Sequence, residues 1–129
     1  MMNIHKQEYI GPERRGGKRT KGIAVIYSTD RQEDLKAVGF TENIGTKGIY
    51  LNVAKELNEN SILFLKMNLP HSHTPIQFKG RVVWVKQINK RLRPERAGYE
   101  LGIEFIEISE DDHNKVIKFV LDSLKEDNS

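Results

Sequence analysis

The residues best equipped for chemistry lie in one short stretch, Glu13-Arg14-Arg15-Gly16-Gly17-Lys18-Arg19, with Lys21 close behind. Arg14, Arg15 and Arg19 carry planar guanidinium forks. Such forks pair bidentately with phosphate and with the O6/N7 edge of guanine, whereas a lysine offers a point charge. Only Glu13 opposes this charge, and Gly16-Gly17 make the backbone permissive. The stretch suits an anionic partner, although on composition alone a solvated basic arm that does nothing specific is the better explanation. A second candidate is Asn43-x-Gly45-x-x-Gly48, a compact turn that runs directly into an alternating apolar segment.

Other constellations carry less. His71-Ser72-His73 sits between Pro70 and Pro75 with no cysteine and no paired carboxylate, which describes a polar loop better than a metal site. His5 and His113 are isolated. No glycine-rich phosphate loop opens a helix and no Gly-x-Ser-x-Gly elbow occurs. The acidic residues near the C-terminus are explained by helix capping. An enzyme is therefore not expected, nor a metal or cofactor.

The 129 residues suffice for one domain with a real core, and 30% charged against 37% hydrophobic residues fits a globular chain. The formal net charge of +3 is too small to argue for nucleic acid by itself. The absence of cysteine excludes disulfides and thiolate sites. Met1 to Lys6 has no apolar signal core, and no later stretch approaches membrane-spanning length. A cytoplasmic protein with no membrane contact is the expectation.

The elements that must position the candidates follow from periodicity. Residues 1–20 lack it and read as a flexible arm; the domain itself is expected over 21–126. Ile23, Val25 and Tyr27 share one strand face, with Ala24 and Ile26 opposite. Lys36 to Thr41 predicts a short strand with Val38 and Phe40 inside. Glu42 to Gly48 reads as a turn, followed by a strand with Ile49, Leu51 and Val53. Ile62 to Leu69 is nearly continuous in apolar residues, as in a strand buried on both faces or a central strand of a curved sheet. Phe78, Gly80, Val82 and Trp84 are expected on one face of a long strand, Gly80 marking a bulge or bend. Lys90 to Arg96 reads as a basic hairpin loop before Tyr99, Leu101, Ile103 and Phe105. Ser109 to Asp112 has the form of a capping box, and Val116, Ile117, Val120, Leu121 and Leu124 recur at helical spacing over roughly 110–125. About six short strands and one terminal helix, with no crossover helices, favour a small six-stranded antiparallel β-barrel.

The arginine arm and the Asn43–Gly48 turn, in that order, resemble the PilZ family of cyclic di-GMP receptors. Gly80-Arg81-Val82-Val83-Trp84 and Leu101-Gly102-Ile103-Glu104-Phe105 extend the resemblance from about Glu13 to Leu124. The family pattern is Arg-x-x-x-Arg followed by Asp/Asn-x-Ser-x-x-Gly. The resemblance implies a barrel with a C-terminal helix, cyclic di-GMP as ligand, and ligand contacts at Arg14, Arg15, Arg19, Asn43, Gly45 and Gly48. The family serine falls on Gly45 here, which removes one hydrogen bond worth about 0.5–1.5 kcal/mol. A protein partner in motility, pilus or exopolysaccharide machinery is implied, with ligand-driven closure of the arm as the signal. The alternative is a PilZ-like interaction module that has lost the nucleotide. A nucleic-acid-binding barrel is disfavoured because no aromatic platform accompanies the basic residues.

Overall fold

In the computed structural model, residues 20–29 and 36–127 are described. They form six strands and one helix: β1 (Ala24–Ser28), β2 (Ala37–Ile44), β3 (Gly48–Val53), β4 (Ile62–Met67), β5 (Ile76–Gln87), β6 (Tyr99–Ile108) and α1 (Glu110–Asp127). The strands close into a barrel in the order β1-β2-β3-β6-β5-β4, every neighbouring pair antiparallel. Closure leaves no free sheet edge. Both the expected barrel and its terminal helix are present.

Inward positions of all six strands meet in one core. Val25, Ile44, Leu51, Val53, Leu63, Ile76, Val82, Leu101 and Ile103 are fully buried there. Burying each such side chain is worth about 1.5–3 kcal/mol. Helix α1 adds Val116, Phe119 and Val120 to this core. Its stripe differs from the expected one, for Leu121 is half exposed and Phe119 is buried. Ser109 caps the helix, its Oγ accepting from Asp112 N at 3.1 Å. Asp112 does not reciprocate as a capping box would. Its carboxylate instead accepts from Gln77 N at 3.2 Å, a role that its short side chain reaches on the neighbouring strand.

Several strand faces depart from the periodicity. Val38 and Phe40 point outward, each 53% exposed, although alternation suggested the interior. The inward position is Gly39, where an added Cβ would lie 2.9 Å from both Asn52 O and Val53 Cγ1. Only glycine fits so close an approach, and its missing side chain hid the true phase of the strand. Strand β2 also continues through Glu42, Asn43 and Ile44, so the turn shrinks to Gly45-Thr46-Lys47. In β4, Leu63, Leu65 and Met67 face the core while Lys66 is exposed, so the apolar run is buried on one face.

Strand β5 has register shifts at Lys79/Gly80 and again between Val82 and Trp84. The second shift moves Trp84 off the core face expected for it. Val82 stays inside, whereas Val83, Trp84 and Tyr50 form a small separate cluster. Trp84 and Tyr50 both pair with Gly102 of the intervening strand β6. Their rings meet edge to face at 5.0 Å across that glycine. A Cβ on Gly102 would sit 2.2 Å from Trp84 Nε1.

Gly102→Ala should therefore displace the Trp84 ring and destabilise the domain by about 1–3 kcal/mol in urea unfolding. Trp84 is the single tryptophan, so its fluorescence should report the displacement. In a Trp84→Ala background the same glycine substitution should cost markedly less.

Candidate functional site

The Asn43 turn is built by a bulge. Thr41 pairs with Leu51, Asn43 pairs with Tyr50, and Glu42 is the extra residue between them. Inserting one residue reverses the alternation. Thr41 and Ile44 face the interior, and Asn43 is turned to the outer face beside Tyr50. An outward row thus runs Asn43, Tyr50, Gly102, Trp84 across four strands. The Trp84–Tyr50 contact buttresses the neighbour of Asn43 from behind.

Thr41 ties the start of the described chain to this strand. Its hydroxyl donates to Thr20 O at 2.6 Å and accepts from Ile23 N at 2.9 Å. Gly22 N donates to Thr41 O at 2.7 Å, and Thr41 N to Ile23 O at 2.9 Å. Thr20, fully buried, donates its own hydroxyl to Asn43 Oδ1 at 2.8 Å. Ile44 N donates to the same oxygen at 2.9 Å. Asn43 is only 4% exposed, and its buried Nδ2 has no hydrogen-bond partner among the described residues. The amide oxygen is thus doubly held, and the amide nitrogen is not.

The turn beyond Asn43 is braced on both sides. Gly45 N donates to Gly48 O at 2.8 Å and Phe105 N to Lys47 O at 2.9 Å. His113 of α1 donates Nε2–H to Thr46 O at 2.7 Å, giving the isolated histidine a structural role. On the opposite flank Glu42, the bulged residue, forms an ion pair with Arg96 of the β5–β6 loop. Asn52 secures the same loop: its Nδ2 donates to Tyr99 O at 2.8 Å and its Oδ1 accepts from Ala97 N at 2.9 Å. The basic loop is therefore anchored beside the site rather than merely joining two strands.

Of the predicted site residues, Asn43, Gly45 and Gly48 are brought together in this corner. Arg14, Arg15 and Arg19, with most of the expected arm over 1–20, lie outside the described residues. Thr20, the first described residue, makes the contact with Asn43. Sequence reasoning missed Thr20, Thr41, Glu42 and Arg96. Bulges leave no composition signal, and each of these residues bonds to a partner distant in sequence. His71 and His73 are exposed, and no cluster capable of holding a metal occurs among the described residues. A cleft of about 540 Å³ opens on other strands, between residues such as Ile26, Phe64, Lys66 and Lys79, and includes none of the predicted site residues. Among the described residues no helix is long and apolar enough to cross a membrane.

A family model described as PilZ domain matches residues 13–122. Among solved structures, the chain is similar to the Bacillus subtilis inhibitor of motility MotI/DgrA, at 18% identity and a TM-score of 0.67 over 85% of this chain and 49% of that one. It is similar to MrkH of K. pneumonia in its apo state, at 19% identity and a TM-score of 0.67 over 84% and 47%. The third is the PilZ domain of YcgR from Escherichia coli with c-di-GMP, at 11% identity and a TM-score of 0.61 over 83% and 84%. The chain spans about half the length of MotI and MrkH. At these identities the likeness is one of fold. No curated protein matches the chain.

Thr41→Val removes the hydroxyl that joins Thr20 to Ile23 while keeping the shape of the side chain. We expect a loss of about 1–3 kcal/mol in denaturant unfolding, with faster amide exchange at Ile23. Thr41→Ser, which keeps the hydroxyl, should retain most of the protection.

Proposed function

The chain belongs to the PilZ domain family, a family of cyclic di-GMP receptors, and from that premise we propose that it binds cyclic di-GMP at the corner where Thr20 meets Asn43. The observation that carries the reading is the Asn43 amide, buried, oriented through its oxygen, and left with N–H donors unclaimed among the described residues. Guanine offers O6 or N7 as an acceptor to one such donor, while its paired O6/N7 edge suits an arginine fork. Arg14, Arg15 and Arg19 supply the forks for phosphate and for the second guanine edge. The hydrogen bond from Thr20 to Asn43 supports this reading, since Thr20 follows Arg19 in the chain. Gly45 and Gly48 keep the wall of the site low. Gly45 contributes no side-chain contact, and its own N–H is committed to Gly48 O.

Ligand binding gathers the arginines onto the barrel, and the surface so formed signals to a protein partner. Motility, pilus and exopolysaccharide machinery are the partner classes in view. The likeness to MotI, described as an inhibitor of motility, agrees with the first of them. A second reading, an interaction module without nucleotide, is favoured by one feature, the glycine at 45 where the family pattern has serine.

Calorimetry with cyclic di-GMP separates the two. Saturable binding at micromolar affinity or tighter is expected, abolished by Arg15→Ala or Arg19→Ala and weakened by Asn43→Ala. Gly45→Ser should tighten binding about tenfold, the equivalent of one recovered hydrogen bond. A flat titration of folded wild-type protein that stays flat in Gly45→Ser leaves the interaction module. Hydrogen exchange across residues 10–21 should slow when ligand is added.

A further inference from the structure

We propose that Phe40 is a stacking platform of this site, on which a purine base of the ligand lies. The inference rests on the cyclic di-GMP reading above and names a residue that neither motif includes.

Phe40 is a large aromatic side chain that the fold leaves 53% exposed, on a barrel that had apolar interior to offer. Its outward direction is fixed by Gly39, whose inward position admits no side chain. Phe40 pairs with Asn52, and the next outward pair along the same two strands is Asn43 with Tyr50. Successive outward positions on a strand are about 7 Å apart. The exposed ring of Phe40 and the buried side chain of Asn43 therefore occupy successive outward positions on one face of the sheet. Across β1 the neighbour of Phe40 is Ala24, too small to cover the ring. On the other side the neighbour is Asn52, whose amide is occupied by the β5–β6 loop. The loop is held at the margin by the Glu42–Arg96 ion pair. The ring is thus an exposed floor with Ala24 of β1 along one side, Asn52 and the loop it holds along the other, and the Asn43 corner at its end.

Such a floor complements what the polar groups already do. Arginine forks read phosphates and base edges and can stack on one face of a base, whereas the Asn43 amide reads an edge only. A flat aromatic ring covers a face, and base–aromatic stacking contributes to affinity whatever edge the base presents. Val38 is equally exposed but lies one outward position further from Asn43 and has no flat face.

The test is calorimetry with cyclic di-GMP on wild type, Phe40→Ala, Phe40→Leu and Phe40→Trp. Because the ring is half exposed, these variants should unfold at wild-type denaturant concentrations. Phe40→Ala is expected to weaken binding between about fivefold and 150-fold, the range of a single stacked base. Phe40→Leu, apolar but not flat, should recover only a minor part, whereas Phe40→Trp should bind at least as tightly as wild type. Phe40→Trp should also show ligand-dependent quenching of fluorescence beyond that of Trp84 in the wild type, a signature that a purely structural residue would not produce. Wild-type binding with an unchanged Phe40→Ala affinity overturns the stacking platform and leaves the receptor reading intact. So does an affinity of Phe40→Leu equal to wild type, should Phe40→Ala fail to fold. Absence of binding by wild type overturns both.

Discussion

One extra residue in β2 organises the functional end of this barrel. Without the bulge at Glu42, strict alternation would send Asn43 into the hydrophobic interior, where its amide would be stranded. With it, Thr41 stays inside and Asn43 turns out beside Tyr50. Thr41 can then bind the incoming chain at Thr20 and Ile23 from the inner side, while Asn43 binds Thr20 from the outer side. The displaced Glu42 is free to hold Arg96. Three separate segments, the chain at Thr20–Ile23, the glycine turn and the basic hairpin loop, are thereby fixed relative to one another by a local irregularity.

The cost of that irregularity is met by the regular part of the barrel. Bulges weaken local pairing, and β2 is already weakened by Gly39 in its middle. Its partner β3 compensates, being buried over all six of its residues. On the inner side Ile49 and Leu51 pack into the core; on the outer side Tyr50 is locked by Trp84 over Gly102. The glycine-and-tryptophan arrangement is thus a support for the site, placed three strands away from Asn43. It acts through the contact of Trp84 with Tyr50.

Strand number, antiparallel pairing, the terminal helix and the hairpin loop were legible in the sequence, because periodicity and turn residues report on each segment independently. The phase of individual strands was less legible where glycine interrupts it. Gly39 occupies an inward position with no side chain to show, so Val38 and Phe40 looked like core residues. At Trp84 a second bulge broke an alternation that the sequence shows as continuous. The Asn43 turn was legible as a motif because its residues are contiguous. Its supports were not, because Thr20, Thr41 and Arg96 act only through partners that folding brings near. The helix stripe drifted for a related reason: Leu121 and Phe119 are both apolar, and only the docking angle of α1 decides which is buried.

The Asn43 nitrogen, unpartnered among the described residues, is the point at which stability and function pull apart. A buried amide without an acceptor costs about 1–3 kcal/mol relative to one that is satisfied. Water could relieve such a donor on an open surface, but at 4% exposure Asn43 has little access to it. Rotating the side chain to seek another acceptor would break the bonds from Thr20 and Ile44 to its oxygen. The donor is therefore held in place at a cost, which an acceptor would recover only after whatever covers the buried nitrogen moves aside. A ligand with a donor or an apolar group at the same point recovers nothing and adds a desolvation penalty. In the proposed reading, selectivity at this corner would follow from an unmet hydrogen bond in a rigid strand, and it requires that the strand not relax. The closed barrel, with every strand paired on both sides, is what prevents it.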